Sequence, residues 1–225
     1  MVIGLRKQNV GISGALAFFL GNPVLNPATL LFIGFVLGWQ FVGLRIVFGV
    51  ILVFLVSYLA AKFADRLPQQ KTPPIDLTLA PIEDPNRSVG SLTMAWLKEL
   101  WIEIYSILPG YIITVALLGA ARAWLFPPNL TIHASGIGAI VGLAAIGTAF
   151  VIPTAGEVPI VQTLMGAGMS IGPAAALLLT LPAISIPSLF IVRGAFPKRV
   201  LAFVTACVFA LGVIGGVFAM LFMRA

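Results

Sequence analysis

Long, unbroken apolar blocks run the length of this chain, separated by short polar interruptions. Neither the alternation of a half-buried strand nor the one-sided stripe of a surface helix sets the rhythm. Blocks 12–37, 42–65, 109–126, 136–152, 171–192 and 200–222 each approach or exceed the ~20 residues that cross a bilayer as helix. The block 160–168 is short: as a re-entrant piece it would leave four crossings between the two broken helices and make their repeats parallel, and as a fifth crossing it would make them inverted. The pattern predicts an all-α fold, a polytopic transmembrane helix bundle.

One stretch is hydrophilic: LPQQKTPPIDLTLAPIEDPNRSVGSLT, residues 67–93, whose prolines and charges read as a loop. After it, Trp96, Leu97, Leu100, Trp101, Ile104 and Tyr105 recur at helical spacing against Lys98, Glu99 and Glu103. That is the pattern of an amphipathic helix lying in the membrane interface. The chain therefore divides into a first repeat at 1–66, a loop at 67–93, an interfacial helix with a connecting span at 94–126, and a second repeat at 136–225.

Two blocks are interrupted where a spanning helix should be most regular. GNPVLNPATL, 21–30, carries Asn22, Pro23, Asn26, Pro27 and Thr29. LPAISIPSL, 181–189, carries Pro182, Ser185, Pro187 and Ser188. Residues 2–30 align without a gap onto 161–189, with eight identities among 29 positions, Pro23 on Pro182 and Asn26 facing Ser185. Composition alone gives roughly two or three identities. Two related repeats with Pro-broken helices are thus expected. A break frees backbone groups that cost several kcal/mol each against lipid, so broken helices belong where they line a cavity. In paired repeats they point to a transporter's binding site.

Composition sharpens this picture. Sixty per cent of the 225 residues are hydrophobic and 9% are charged, against about 25% charged in a soluble domain. The net charge of +6 sits at the ends of apolar runs, as the positive-inside rule expects, and nothing suggests a nucleic-acid partner. Lys62, Arg66, Lys71, Arg87 and Lys98 flank or occupy the loop 67–93, which places that loop in the cytoplasm, with the membrane a cell inner (plasma) membrane. Arg6 and Lys7 precede the first broken helix, whereas Arg193, Lys198 and Arg199 follow the second. That placement favours an inverted relation between the repeats. Arg193, Lys198, Arg199 and Arg122 read as interface anchors.

Six of the seven acids lie between 65 and 103. Glu157, in PTAGEVP, is the acid at a helix break between apolar runs. Such a group is a functional candidate, able to cycle a proton or hold a cation. The plainer reading is an aqueous loop in which Glu157 caps the next helix. Gly156, Pro159, Gln162 and Thr163 share its surroundings. Cys207 is the lone cysteine and His133 a lone histidine, so no metal site or cofactor is expected. The pairs Gly34/Gly38, Gly138/Gly142, Gly168/Gly172 and Gly212/Gly216 read as helix-packing seams. No motif for an intramembrane enzyme is present.

The segments LAFFLGNPVLNPATLLFIGFVLGW, PGYIITVALLGAARAWLFP and PTAGEVPIVQTLMGAGMSIGPAAALLLTLPAISIPSL resemble the predicted permeases that include the organoarsenical efflux permeases. The resemblance implies an inner-membrane exporter of a small solute, with the broken helices and the loop of Gly156, Glu157 and Pro159 as its working parts. Many relatives carry a Cys-Ser-Cys-type stretch before that loop, where this chain has Pro153, Thr154 and Ala155. A trivalent arsenical, which needs thiolates, is not expected here. A motif like PTAGEVPI would fall before Met1 in the first repeat, so the chain reads as N-terminally incomplete. A homo-oligomer or a missing N-terminal half would complete it, and a non-transporting subunit is the alternative function.

Overall fold

The computed structural model describes residues 2–7, 10–66, 134–150, 152 and 155–223, together with Thr93, Met94, Leu97 and Trp101. The chain divides into two compact units. The first comprises Met1–Pro73 and Thr131–Ala225 and holds every element discussed below. The second comprises Pro74–Leu130. Of it, Thr93, Met94, Leu97 and Trp101 are described, all helical, with the side chains of Met94, Leu97 and Trp101 exposed. The remainder of the expected interfacial helix, the span 109–126, Arg122 and His133 lie outside the described residues.

Among the described residues every element is helical and no strand occurs. In the first unit these are α1 (Val2–Lys7), α2 (Ile12–Val24), α3 (Pro27–Val36), α4 (Trp39–Asp65), α5 (Gly136–Ala149), α6 (Glu157–Gly166), α7 (Ile171–Thr180), α8 (Ile186–Val192) and α9 (Lys198–Phe222). Among the described residues three stretches are long and apolar enough to cross a membrane: Ile12–Val36, Trp39–Asp65 and Lys198–Phe222. The helix α4 runs continuously across its length, through a π-helical turn at Ile51–Val56.

The first interruption is narrower than the sequence suggests. Pro23 lies inside α2, and the chain leaves the helix only at Leu25 and Asn26. Pro27 then opens α3, where its fixed φ suits the first helical position and its missing N–H costs nothing. The second interruption is wider, from Leu181 to Ser185, with Pro187 in the first turn of α8. The helix boundaries recur at the offset of the gapless alignment. Lys7 and Gly166 end α1 and α6, Ile12 and Ile171 start α2 and α7, and Pro27 and Ile186 start α3 and α8.

One core cluster joins α2, α4 and α9 with the segment after α7. It contains Leu16, Leu20, Val24, Val53, Ile184 and Val204, with Cys207 partly buried against it. A second, smaller cluster joins α5, α7 and α9 through Ile140, Ala144 and Ala176. In that seam a Cβ on Gly216 would meet Ile140 at 2.7 Å and Ala176 at 2.9 Å, and a Cβ on Gly172 would meet the Gly216 carbonyl at 3.0 Å. A Cβ on Gly212 would collide with the Thr180 methyl.

The expected Gly212/Gly216 seam is therefore real, with Gly172 as its counterpart. Among the described residues a Cβ on Gly138 or Gly142 would meet nothing within 4 Å, and a Cβ on Gly34 would meet the Trp39 ring at 3.0 Å. Gly38 and Gly168 hold turns at φ +109° and +104°, which a side chain disfavours. Arg193, Lys198 and Arg199 are exposed, and Arg193 lies over the Phe190 ring.

Candidate functional site

The site begins with backbone that proline leaves without a partner. In an uninterrupted helix the carbonyl of residue 23 accepts from the N–H of residue 27. Pro27 has no N–H, so the Pro23 carbonyl is orphaned. The Val24 carbonyl would accept from Ala28. That N–H turns instead to the Asn26 side chain, whose Oδ1 accepts from Ala28 N at 3.0 Å and Thr29 N at 3.4 Å. In the second break the Leu178 carbonyl would accept from residue 182, which is again a proline.

All three orphans receive the same donor. Arg45, on α4, donates from Nε to the Val24 carbonyl at 2.9 Å and from Nη2 to the Pro23 carbonyl at 2.9 Å. Its Nη1 reaches the Leu178 carbonyl at 3.5 Å. A second N–H of Nη2 goes to Glu157 Oε1, also at 2.9 Å. The guanidinium is 0% exposed and the Glu157 side chain 3%. One cation thus gathers both helix breaks and the start of α6 into a neutral, desolvated knot.

Neighbouring residues explain how a charged side chain gets there. Gly49 lies one turn beyond Arg45, and a Cβ on it would run into Leu25 and Val24. The bare glycine lets α4 approach the first break closely enough for the guanidinium to reach two carbonyls. Behind Gly49 an apolar cavity of about 10 Å³ is lined by Val24, Phe48, Leu52, Leu179, Val208 and Leu211. On the other side, Ala155 adopts φ +65°, a left-handed conformation that costs a residue with a Cβ roughly 1–2 kcal/mol. That turn swings Glu157, the first residue of α6, inward. Glu157 is buried, not the cap of an aqueous loop. Pro159 sits in the first turn of α6, where helices tolerate it.

The residues expected from sequence divide into two groups. Glu157, the Pro23 carbonyl and the Leu178 carbonyl freed by Pro182 meet at Arg45. Asn26, Ser185 and Ser188 spend their polar atoms on helix starts. Ser185 Oγ accepts from Ser188 N at 3.3 Å, and Ser188 Oγ accepts from Ser185 N at 3.0 Å while donating to the Ser185 carbonyl at 2.8 Å. Thr29 is buried in α3, and Gly156 is half-buried before α6. Asn22, Pro27, Pro159, Gln162 and Pro187 are exposed. Sequence reasoning missed Arg45. The signal was present: a cation inside the apolar run WQFVGLRIVFGVILVFLV, where every charge is a functional candidate.

A family model described as a predicted permease, ArsP_1, matches residues 1–221. The chain belongs to this permease family. The UPF0718 protein YraQ of Escherichia coli (strain K12) is 48% identical over 225 residues, covering 97% of this chain and 61% of YraQ. The UPF0718 protein MJ0584 of Methanocaldococcus jannaschii is 24% identical over 275 residues, covering 93% of this chain and 75% of that protein. The permease thus spans about three-fifths of the length of YraQ. No solved structure matches. Family and apolar helices together make it a multi-pass membrane protein.

Proposed function

We propose that this permease is a secondary transporter, an inner-membrane exporter of a small solute, whose translocation site lies between the two broken helices. The observation that carries the reading is Arg45 joined to both breaks and to Glu157. A buried ion pair is poor glue, because a well-packed apolar pair of the same volume is commonly as stable or more so. Its presence among freed carbonyls fits a working part better than a structural one. Glu157 gives the coupling: taking up a proton discharges the carboxylate, releases Arg45, and lets the breaks separate. Asn22, Asn26, Thr29, Gln162, Ser185 and Ser188 are the polar groups from which the open form would build its lining. In the form described here the capping residues among them hold the helix starts.

The test needs no knowledge of the solute. Single cysteines replace Leu25 in the first break and Ala183 in the second, in a Cys207→Ala background. A membrane-impermeant maleimide is applied to right-side-out and inverted vesicles. Alternating access exposes each position to both sides in turn, so both cysteines are labelled in both vesicle types. Labelling from one side only, or from neither, overturns the transport reading.

A further inference from the structure

We infer that the solute is a small oxyanion, bound by Arg45 in the place Glu157 fills here, and that it moves with one proton. This deepens the transport reading, on which it rests, by fixing the charge class of the solute.

Four oxygens surround the guanidinium, and they are not equally replaceable. Three are backbone carbonyls that leave only if helices move. The fourth is a carboxylate on another helix, attached through one oxygen to one nitrogen. Glu157 is the ligand that a rotation of its own side chain can withdraw. Its departure uncovers an Nη2 proton beside Nη1, whose contact to the Leu178 carbonyl is long at 3.5 Å. Two adjacent guanidinium nitrogens form the fork that grips a carboxylate, phosphate or sulfate in a bidentate manner. The incoming anion also meets the first turn of α6, whose positive dipole end favours negative charge.

Charge balance supplies the proton. The helices α3 and α7, packed against α6, carry no titratable side chain, and Arg45 is the charged group facing Glu157 from α4. The other titratable groups of α4 (Tyr58, Lys62 and Asp65) lie beyond its π-helical turn. An anion joining Arg45 while Glu157 stays ionised would leave one uncompensated negative charge in a dry core. The balanced step is therefore an exchange. A proton adds to the Glu157 carboxylate, the Arg45–Glu157 pair opens, and the anion closes on the guanidinium. Release of the anion on the far side lets Glu157 return its proton and re-form the pair. A cationic solute would have to share the pocket with Arg45 itself.

The test uses the purified permease in detergent micelles. Thermal midpoints of the wild type, Glu157→Gln and the double variant Glu157→Gln/Arg45→Met are read in sodium phosphate, sulfate or acetate, with sodium chloride as the control that lacks oxygen. Sodium gluconate at matched sodium is the reference. Glu157→Gln leaves Arg45 without its carboxylate, so at least one of the three oxyanions should raise its midpoint at pH 8 in a saturable way, and by more than chloride does. The double variant should stay flat. The wild type's response to sulfate should grow as the pH falls from 8, because each anion bound takes up one proton, and Glu157→Ala repeats the variant readout if Glu157→Gln fails to fold. The inference is overturned if neither Glu157→Gln nor Glu157→Ala responds to any of the three oxyanions, or if the wild type's response does not change with pH. It is overturned equally if the double variant responds as Glu157→Gln does. Two-sided cysteine labelling without an anion response would leave the transport reading standing and remove the oxyanion. One-sided labelling with an anion response would remove the transport reading and the proton-coupled movement with it, and leave oxyanion binding at Arg45.

Discussion

Arg45 and Glu157, 112 positions apart in the chain, meet at 2.9 Å with neither side chain appreciably exposed. Three backbone carbonyls complete the arginine's shell. Removing one member of the pair should therefore cost more than removing both. Arg45→Met strands a buried carboxylate and three acceptors, and a loss of about 3–5 kcal/mol is expected. Arg45→Met/Glu157→Met should recover a substantial part of it. A double-mutant cycle on unfolding in detergent reads the coupling, and additive single losses would contradict the pairing.

Gly49 sets the distance between α4 and the first break. Gly49→Val drives a branched side chain into Leu25 and Val24 and should destabilise by about 1–3 kcal/mol. Gly43→Ala, on the same helix with nothing within 4 Å of the added Cβ, should stay within about 0.5 kcal/mol of wild type. Equal effects from the two would show that close approach is not required.

Asn26 acts through its oxygen. Asn26→Ala should cost about 0.5–2 kcal/mol by uncapping α3, while Asn26→Asp keeps the acceptor and should be close to neutral. The alanine variant also returns the Ala28 N–H to the Val24 carbonyl, in competition with Arg45 Nε. A variant structure would show that exchange directly.

The turn before Glu157 holds Ala155 at φ +65°. Ala155→Gly relieves the left-handed strain and should raise the thermal midpoint, by about 1 kcal/mol at most after glycine's entropy is counted. A lower midpoint would mean that the alanine methyl makes a contact worth more than the strain.

Thr180 fills the space between Gly147 and Gly212, its hydroxyl bonded back to the Ala176 carbonyl at 2.9 Å. Gly212→Ala collides with the Thr180 methyl and should destabilise by about 1–3 kcal/mol. In a Thr180→Ser background the methyl is gone, and less than half of that loss should remain. Undiminished loss would place the collision elsewhere.

Much of the architecture was legible from pattern. Block length and charge placement gave the helices, and the prolines gave the breaks. The alignment of 2–30 onto 161–189 anticipated helix starts at Ile12 and Ile171. The centre of the site was legible only by half. Glu157 drew notice as an acid among apolar residues. Arg45 did not, because a positive charge near the start of a block is ordinarily an interface anchor. Its depth depends on how α4 packs against α2, which no local pattern encodes. The capping roles of Asn26, Ser185 and Ser188 were hidden for a related reason. A polar side chain beside a break can face a cavity or satisfy the next helix's first amides. Only the backbone conformation at the break decides which.

Carrying the recurring helix offset forward sets Val204, buried in α9, opposite Arg45. The two breaks therefore lean on one guanidinium, and unequally: the break nearer the arginine is bound by two short bonds, the farther by one stretched one. The weaker latch should be the first to lift.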